Sequence, residues 1–339
     1  MSIVMSGGGT GGHLAIVRAV KEELKDSGVE LVYIGSSRGQ DKQWFEDDID
    51  FDSRYFLDSK GVVNQKGLGK LASLWTMAKS VLKARKLLKE HKAKVVLSVG
   101  GFSAAPTAFA ALSLGIPLVI HEQNASMGSL NKLLKPYAKE FISSYDDSST
   151  QAPYPIKDVY FKSARVRGEV KTIIFLGGSQ GAKAINELAL SLAPTLKQKG
   201  ISIIHQAGER NIQDVQKAYD DIGVEAEVFG FSTKLPEYIA KADFAIARAG
   251  ASTLWELSAN GLPTLYIPYP YAASDHQYYN AKFLVDKNLA WLMRESDIDI
   301  AKIEEIISSS MSDISEKLKD IIDDNGAKEI SNLLLSLHK

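Results

Sequence analysis

The sequence predicts an α/β protein made of two matching halves, each a parallel sheet with helices on both faces. Three observations predict it. Continuous apolar runs of strand length alternate with amphipathic helical stretches along the whole chain. Each half opens on a buried strand that runs through a glycine-rich turn into a helix: Ile3-Val4-Met5-Ser6-Gly7-Gly8-Gly9-Thr10-Gly11-Gly12-His13 and Thr172-Ile173-Ile174-Phe175-Leu176-Gly177-Gly178-Ser179-Gln180-Gly181-Ala182. A later signature also repeats, Gly115-Ile116-Pro117-Leu118-Val119-Ile120 echoing Gly261-Leu262-Pro263-Thr264-Leu265-Tyr266-Ile267, and each copy follows a glycine-containing strand exit and a short helix.

In order, the first half predicts strands near Ile3–Met5, Leu31–Ile34, Val95–Val99, Leu118–His121 and Glu140–Ser143. The second predicts them near Thr172–Leu176, Ile201–Gln206, Glu225–Phe229, Phe244–Ala247 and Thr264–Ile267. The irregular stretch Ser143–Val170, with Ser148-Ser149-Thr150 and two prolines, reads as the linker. Residues 1–157 then form one domain and 158–322 the other. The tail from about Asp299 is helical, punctuated at Gly326, and its last helix, about 323–339, is expected to pack back on the first domain.

A chain of 339 residues has room for two domains, and 45% hydrophobic with 24% charged residues is ordinary for a globular protein. A net charge of −1 gives nothing to draw nucleic acid, so none is expected as a partner. The absence of cysteine excludes disulfides, thiol catalysis and cysteine-ligated zinc, and suits a reducing compartment. The chain enters a strand at Ile3, so no signal peptide is expected. The uncharged run Val95–Ile120 is long enough for a membrane span, but Gly100-Gly101, Pro106, Gly115 and Pro117 break it into strand, helix and strand.

Glycine lets the backbone approach a ligand closely, and a helix N-terminus favours negative charge there. Two such turns suggest an enzyme that holds two phosphate-bearing molecules. In the first turn Gly7-x4-Gly12 is followed by His13-Leu14, without the lysine of a P-loop. A dinucleotide site wants an acid about 20 residues on to bind ribose, yet the second strand ends Ile34-Gly35-Ser36-Ser37. What remains is a nest for a sugar-linked phosphate or pyrophosphate, or glycines that merely let strand and helix pack. His13, at the head of a helix, is expected to stay neutral and accept a proton from an attacking hydroxyl; a capping role is the alternative. Glu256, about one turn into a helix after Arg248-Ala249-Gly250-Ala251-Ser252-Thr253, could accept from a ribose diol while Ser252 and Thr253 meet phosphate; local capping is equally open. The clusters His121-Glu122-Gln123-Asn124 and Asp275 to Asn280 follow strand ends and are expected to point toward ligand. Asp48-Ile49-Asp50 and Asp297-Ile298-Asp299 match an Asp-x-Asp metal pattern but read better as solvated acid runs, so neither a metal nor a cofactor is expected.

Between Lys60 and Lys94 there are ten lysines and arginines against one acid, Glu90. Within it Leu71, Leu74, Trp75, Ala78 and Leu82 recur at helical spacing. Most of this must be a crossover helix. Its tip, Leu68, Lys70, Leu71, Leu74, Trp75 and Lys79, has the leucine, tryptophan and lysine mixture suited to an anionic leaflet.

Taken together these segments resemble the MurG family of peptidoglycan glycosyltransferases over nearly the whole chain. The resemblance rests on Gly8 to His13, His121 to Asn124, Gly177 to Ala182, Arg248 to Thr253 with Glu256, and Gln277-Tyr278-x-Asn280-Ala281. It implies a GT-B fold, two Rossmann-like domains facing a deep cleft, with inversion at the anomeric carbon and no tightly bound metal. It implies transfer of N-acetylglucosamine from UDP-N-acetylglucosamine to the muramoyl hydroxyl of undecaprenyl-pyrophosphoryl-MurNAc-pentapeptide, lipid I to lipid II. The first domain would take the acceptor and the membrane, the second the donor. Carried over by position, Lys157, Ser179, Ser232, Ala251, Ser252, Thr253, Glu256 and Gln277 would hold the UDP-sugar. Thr10, Gly11, Gly12 and Asn124 would lie at the donor–acceptor junction, Gly8, Gly9, Gly100 and Gly101 on the acceptor's phosphate side, and His13 would be the base. The protein would sit peripherally on the cytoplasmic face of the inner membrane, among other cell-wall synthesis proteins. Three positions depart from the family: Lys157 stands for an arginine and loses its bidentate fork, Ala15-Ile16 replaces an aromatic–proline pair, and Phe102 replaces a tyrosine. Another UDP-sugar enzyme of the same fold, such as a glycolipid transferase or a 2-epimerase, and a non-catalytic lipid-presenting subunit are the competing expectations.

Overall fold

The computed structural model describes residues 1–59, 68–145, 149, 154–178 and 180–339, with the backbone alone for 68–72 and 74. The chain forms two compact units, one of Met1–Ile156 with Asp324–Lys339, the other of Lys157–Asp323.

In the first unit the order is β1 (Ser2–Ser6), α1 (Gly11–Leu24), β2 (Glu30–Ser36), α2 (Asp41–Phe45), β3 (Ser53–Leu57), α3 (Leu68–Glu90), β4 (Ala93–Ser98), α4 (Ala105–Leu114), β5 (Leu118–Glu122), α5 (Ser129–Leu134) and β6 (Glu140–Ser143). The second unit carries α6 (Asp158–Lys162), β7 (Thr172–Leu176), α7 (Lys183–Gln198), β8 (Ser202–Gln206), α8 (Ile212–Asp221), β9 (Glu227–Phe229), α9 (Leu235–Lys241), β10 (Phe244–Ala247), α10 (Ala251–Ala259), β11 (Thr264–Tyr266), α11 (His276–Val285), β12 (Trp291–Leu292), α12 (Ile300–Ser308) and α13 (Ser312–Lys319). The last helix, α14 (Gly326–His338), lies on α1 in the first unit, where Ser331 Oγ donates to Val20 O at 3.3 Å.

Among the described residues each unit has a six-stranded parallel sheet, β3-β2-β1-β4-β5-β6 and β12-β11-β10-β7-β8-β9. These are the same topology: three strands wound one way from the first strand, three the other. The direction switches between β1 and β4 in one unit and between β7 and β10 in the other. The central strands are apolar because both faces are covered. Val4, Val32, Val96 and Ile120 pack against Ala84, Leu88, Ala108 and Ala111 of the flanking helices. Ile173, Phe175, Ile246 and Leu265 pack against Leu188, Leu192, Ile303 and Ile307.

Five strands per half were expected from sequence and six are present. The extra ones, β3 and β12, are edge strands whose partly exposed residues lack a continuous apolar run. The linker stretch is not irregular throughout, since it contains α6. The tail forms three helices, α12, α13 and α14, the last beginning at Gly326. The Asp48–Asp50 run is not simply solvated: both carboxylates hold the amino group of Lys21, which is 2% exposed, at 2.9 and 2.6 Å. Asp299 caps α12 by accepting from Lys302 N.

Candidate active site

Both glycine turns leave the C-terminal ends of strands beside a switch point, where open parallel sheets leave a crevice. In the first unit the β1 turn lies against the β4 turn. Gly101 has φ +77°, and a Cβ there would stand 2.3 Å from Gly8 O, so only glycine lets the two backbones touch. The ring of Phe102 lies against Gly9 from the other side. The N–H of Gly9 donates to Asp41 Oδ2 at 2.7 Å, and the same buried carboxylate accepts from Ser36 N at 2.9 Å and Tyr33 OH at 3.1 Å. The turn expected to cradle an anion therefore already holds one, supplied by the fold. Asp41 was missed from sequence because it falls after the strand end, at the head of α2, and serves backbone rather than ribose.

The turn ends at Thr10, an extended N-cap, and His13 is the third residue of α1. Its half-buried ring is held from two sides. Thr10 Oγ1 lies 2.9 Å from Nδ1, and Gln123 Nε2 lies 3.1 Å from Nδ1 and 3.0 Å from Nε2. The four-residue cluster at the end of β5, His121 to Asn124, does not point outward as a group. Glu122, 3% exposed, accepts from Asn124 N, Gly128 N and Asn131 Nδ2 and braces its own loop. His121 is fully buried, edge-on to Tyr154, and neither ring nitrogen has a hydrogen-bond partner among the described residues. Burial, with a smaller contribution from His13, lowers its pKa to about 3. Gln123 lies against His13, and Asn124 is half-exposed.

In the second unit the turn is open where the first is filled. Gly178 has φ +81° and no described residue lies within 4 Å of the space its side chain would take, while Gly181 is pressed on Ala207 and Gly208. Ser179 lies outside the described residues. After β10, Asn280 Nδ2 donates to Ala249 O at 3.1 Å, and Arg248 pairs with Glu295 at 2.5 Å while donating to Ile267 O and Pro268 O. These contacts set the start of α10, whose first turn presents Ala251, Ser252 and Thr253. Glu256 sits half-buried one turn further on. Burial raises its pKa to about 7, opposed by nearby Lys157 and by a hydrogen bond with Tyr160. Lys157, the first residue of the unit, thus comes near Glu256 from a distant part of its sequence. Gln277 accepts from Tyr269 N at 2.9 Å through its amide oxygen, and its amide nitrogen makes no hydrogen bond among the described residues. Ser232 lies after the edge strand β9, its hydroxyl accepting from Lys234 N. Asp275 is engaged by Arg294 at 2.7 Å, and Asn280 is fully buried, so that cluster too is partly structural.

The side chains of Leu68, Lys70, Leu71 and Leu74 lie outside the described residues. Of the rest of α3, Ser80, Ala84 and Leu88 face the core, whereas Trp75 and Leu82 are each 66% exposed with Ala78 between them on the same face. Lys79 Nζ lies 5.3 Å from the Trp75 ring centre. Among the described residues no helix is long and apolar enough to cross a membrane.

Two Rossmann-ordered sheets, each with a glycine turn at its switch point, define the GT-B class of glycosyltransferase. Residues 3–143 match the glycosyltransferase family 28 N-terminal domain and residues 172–334 the family 28 C-terminal domain. The UDP-N-acetylglucosamine--N-acetylmuramyl-(pentapeptide) pyrophosphoryl-undecaprenol N-acetylglucosamine transferase of Sulfurovum sp. (strain NBC37-1) is 65% identical over 100% of both chains. The protein of the same name from Wolinella succinogenes is 51% identical over 99% of this chain and 100% of its own. The crystal structure of Acinetobacter baumannii MurG superposes with a TM-score of 0.81 at 27% identity over 99% of each chain. A UDP-GlcNAc 2-epimerase from Neisseria meningitidis shares the fold, with a TM-score of 0.65 at 14% identity over 99% of this chain and 100% of that one. The chain belongs to glycosyltransferase family 28, within its MurG family.

Proposed function

We propose that this enzyme transfers N-acetylglucosamine from UDP-N-acetylglucosamine to the muramoyl hydroxyl of undecaprenyl-pyrophosphoryl-MurNAc-pentapeptide, completing lipid II for peptidoglycan. The substrates are those in the names of the full-length relatives. The observation that carries the chemistry is His13, a half-buried imidazole held between Thr10 and Gln123 at the switch point of the first unit.

The muramoyl oxygen attacks the anomeric carbon and its proton passes to His13. The bond from that carbon to the phosphate oxygen breaks with inversion, and UDP leaves with the electron pair. In the second unit the open backbone at Gly178, with Ser179 beside it, and the first turn of α10 at Ala251, Ser252 and Thr253 offer N–H groups and a helix N-terminus to the departing diphosphate. Glu256 accepts from the ribose diol, Lys157 beside it adds charge without a fork, and Ser232 and Gln277 complete the donor contacts. Thr10, Gly11, Gly12 and Asn124 surround His13 and take the reacting sugar, while Gly8, Gly9, Gly100 and Gly101 form the floor for the acceptor's pyrophosphate.

The exposed Trp75, Ala78 and Leu82 stripe, with Lys79 over the indole, supports peripheral attachment to the anionic cytoplasmic leaflet. Sedimentation with phosphatidylglycerol vesicles, and its loss in Trp75→Glu, is the expected result; equal binding to neutral vesicles would argue against it. The deciding experiment for the reaction is UDP release measured with and without a short-chain lipid I analogue. Release only with the analogue is expected. Conversion of the donor alone to its 2-epimer would replace this reading with an epimerase, and a chain that releases no UDP in either arm would be a lipid-presenting subunit.

A further inference from the structure

We propose that Gln123 is the positioning residue of His13, holding the ring in place and in its neutral form. The proposal rests on the reading of His13 as the base. Gln123 follows the end of β5, is 6% exposed, and sets its amide nitrogen 3.1 and 3.0 Å from the two ring nitrogens. Thr10 holds Nδ1 from the turn, 2.9 Å away, so the ring is pinned between a residue of its own helix cap and one 110 positions along the chain.

An amide NH2 group can only donate, so it is satisfied by a ring nitrogen that still carries its lone pair. On an imidazolium both nitrogens carry hydrogen, and the amide would face a donor. Gln123 therefore disfavours the protonated ring before substrate binds and leaves a lone pair ready to take the acceptor's proton.

The titratable groups around the ring agree with this division. His121 on β5 lies close enough to interact electrostatically with His13, but burial lowers its own pKa to about 3, so it is neutral near pH 7 and brings no charge to the ring. The two carboxylates nearby, Glu122 on β5 and Asp41 at the head of α2, are engaged by backbone N–H groups and by Asn131 and Tyr33. The β4–α4 turn, Gly100-Gly101-Phe102-Ser103, carries no titratable side chain. Of the two side chains that pin the ring, Thr10 can donate or accept, whereas the Gln123 amide nitrogen can only donate, so Gln123 distinguishes the two protonation states by a direct hydrogen bond.

The test follows the His13 imidazole by NMR titration in the full chain, its signal assigned by its loss in His13→Ala, and repeats the titration in Gln123→Glu and Gln123→Met. A carboxylate beside the ring favours imidazolium, so Gln123→Glu should raise the His13 pKa by about one unit. Gln123→Met, similar in length but without a donor, should raise it by less. A His13 pKa unmoved in both variants would overturn the proposal. Turnover against pH is measured alongside: the acid limb should move upward with the NMR value, donor KM should stay put, and Gln123→Met should add nothing in a His13→Ala background. If the NMR value moves and the acid limb does not, His13 is not the base, and the positioning of its ring by Gln123 stands.

Discussion

The two glycine turns occupy equivalent places, each after the first strand of a six-stranded sheet of the same order, yet they are built for opposite purposes. The β1 turn is filled: Asp41 takes the Gly9 N–H, Phe102 covers Gly9, and Gly101 presses on Gly8. The β7 turn is left open at Gly178. A filled turn is rigid and cannot give all its donors to a ligand, so its task is to aim the Thr10 and His13 head of α1. In the β7 turn the N–H groups of Gly177 and Gly181 go to Gln206 O and Gly178 O, but no described carboxylate accepts from it, and its Gly178 face is left clear for a ligand's phosphate. In the proposed reaction, one topology used twice thus yields a scaffold for a base and a cradle for a leaving group.

Substitutions can break this contrast, and the largest expected effect is at Gly101. Gly101→Ala drives a Cβ into Gly8 O and forces a positive φ on alanine, costing about 3 kcal/mol or more in denaturant unfolding. Little loss of stability would mean the two turns are not in contact. His13→Ala should lower turnover about 10²-fold with donor KM nearly unchanged; near-normal turnover would remove His13 from the mechanism. Asp41→Asn sets an amide NH2 against backbone donors and should cost about 2 kcal/mol of stability. A gain in pyrophosphate affinity without that loss would show the carboxylate competing with ligand rather than bracing the turn.

Glu256 sharpens the comparison through pH. Its pKa near 7 lies above the ordinary 4.5, so between those values the native state binds the proton that the unfolded chain has released. Stability should fall as pH rises from 4.5 through about 7 and level off above, a slope that Glu256→Gln removes. The carboxylate is the form that accepts from both ribose hydroxyls, so UDP affinity should rise by up to about 10-fold between pH 6 and pH 8 and stay flat in Glu256→Gln. Equal pH dependence in the two proteins, by calorimetric titration, would take Glu256 out of the donor site. The smallest effect is at Gly178. Gly178→Ala meets no neighbour and pays only for its positive φ, about 1 kcal/mol, with weakened UDP binding. A loss as large as at Gly101 would mean this turn is filled as well.

Much of this was legible beforehand. Ten strands announce themselves as apolar runs, most clearly the eight inner ones, whose two faces are buried, and the glycine turns do so because a tight strand-to-helix turn restricts residue type locally. β3 and β12 were not legible, since an edge strand is half solvated and Ser53–Leu57 alternates too weakly to stand out. His13 and Glu256 could be named from their neighbours in sequence. Asp41 and Gln123 could not be given their roles, because each acts on a group 32 or 110 residues away. The stripe Trp75, Ala78 and Leu82 was visible as periodicity, but periodicity does not say which face of a helix meets the core.

From residues alone the chain determined two parallel-sheet domains and two strand-to-helix glycine turns, because strand burial and backbone torsion are properties of short segments. Tertiary structure alone decided that one turn is filled by a carboxylate and the other open, and that an amide from β5 faces the imidazole of α1. A hydrogen bond's partner is chosen by what folding brings near, and no local rule of sequence carries that distance.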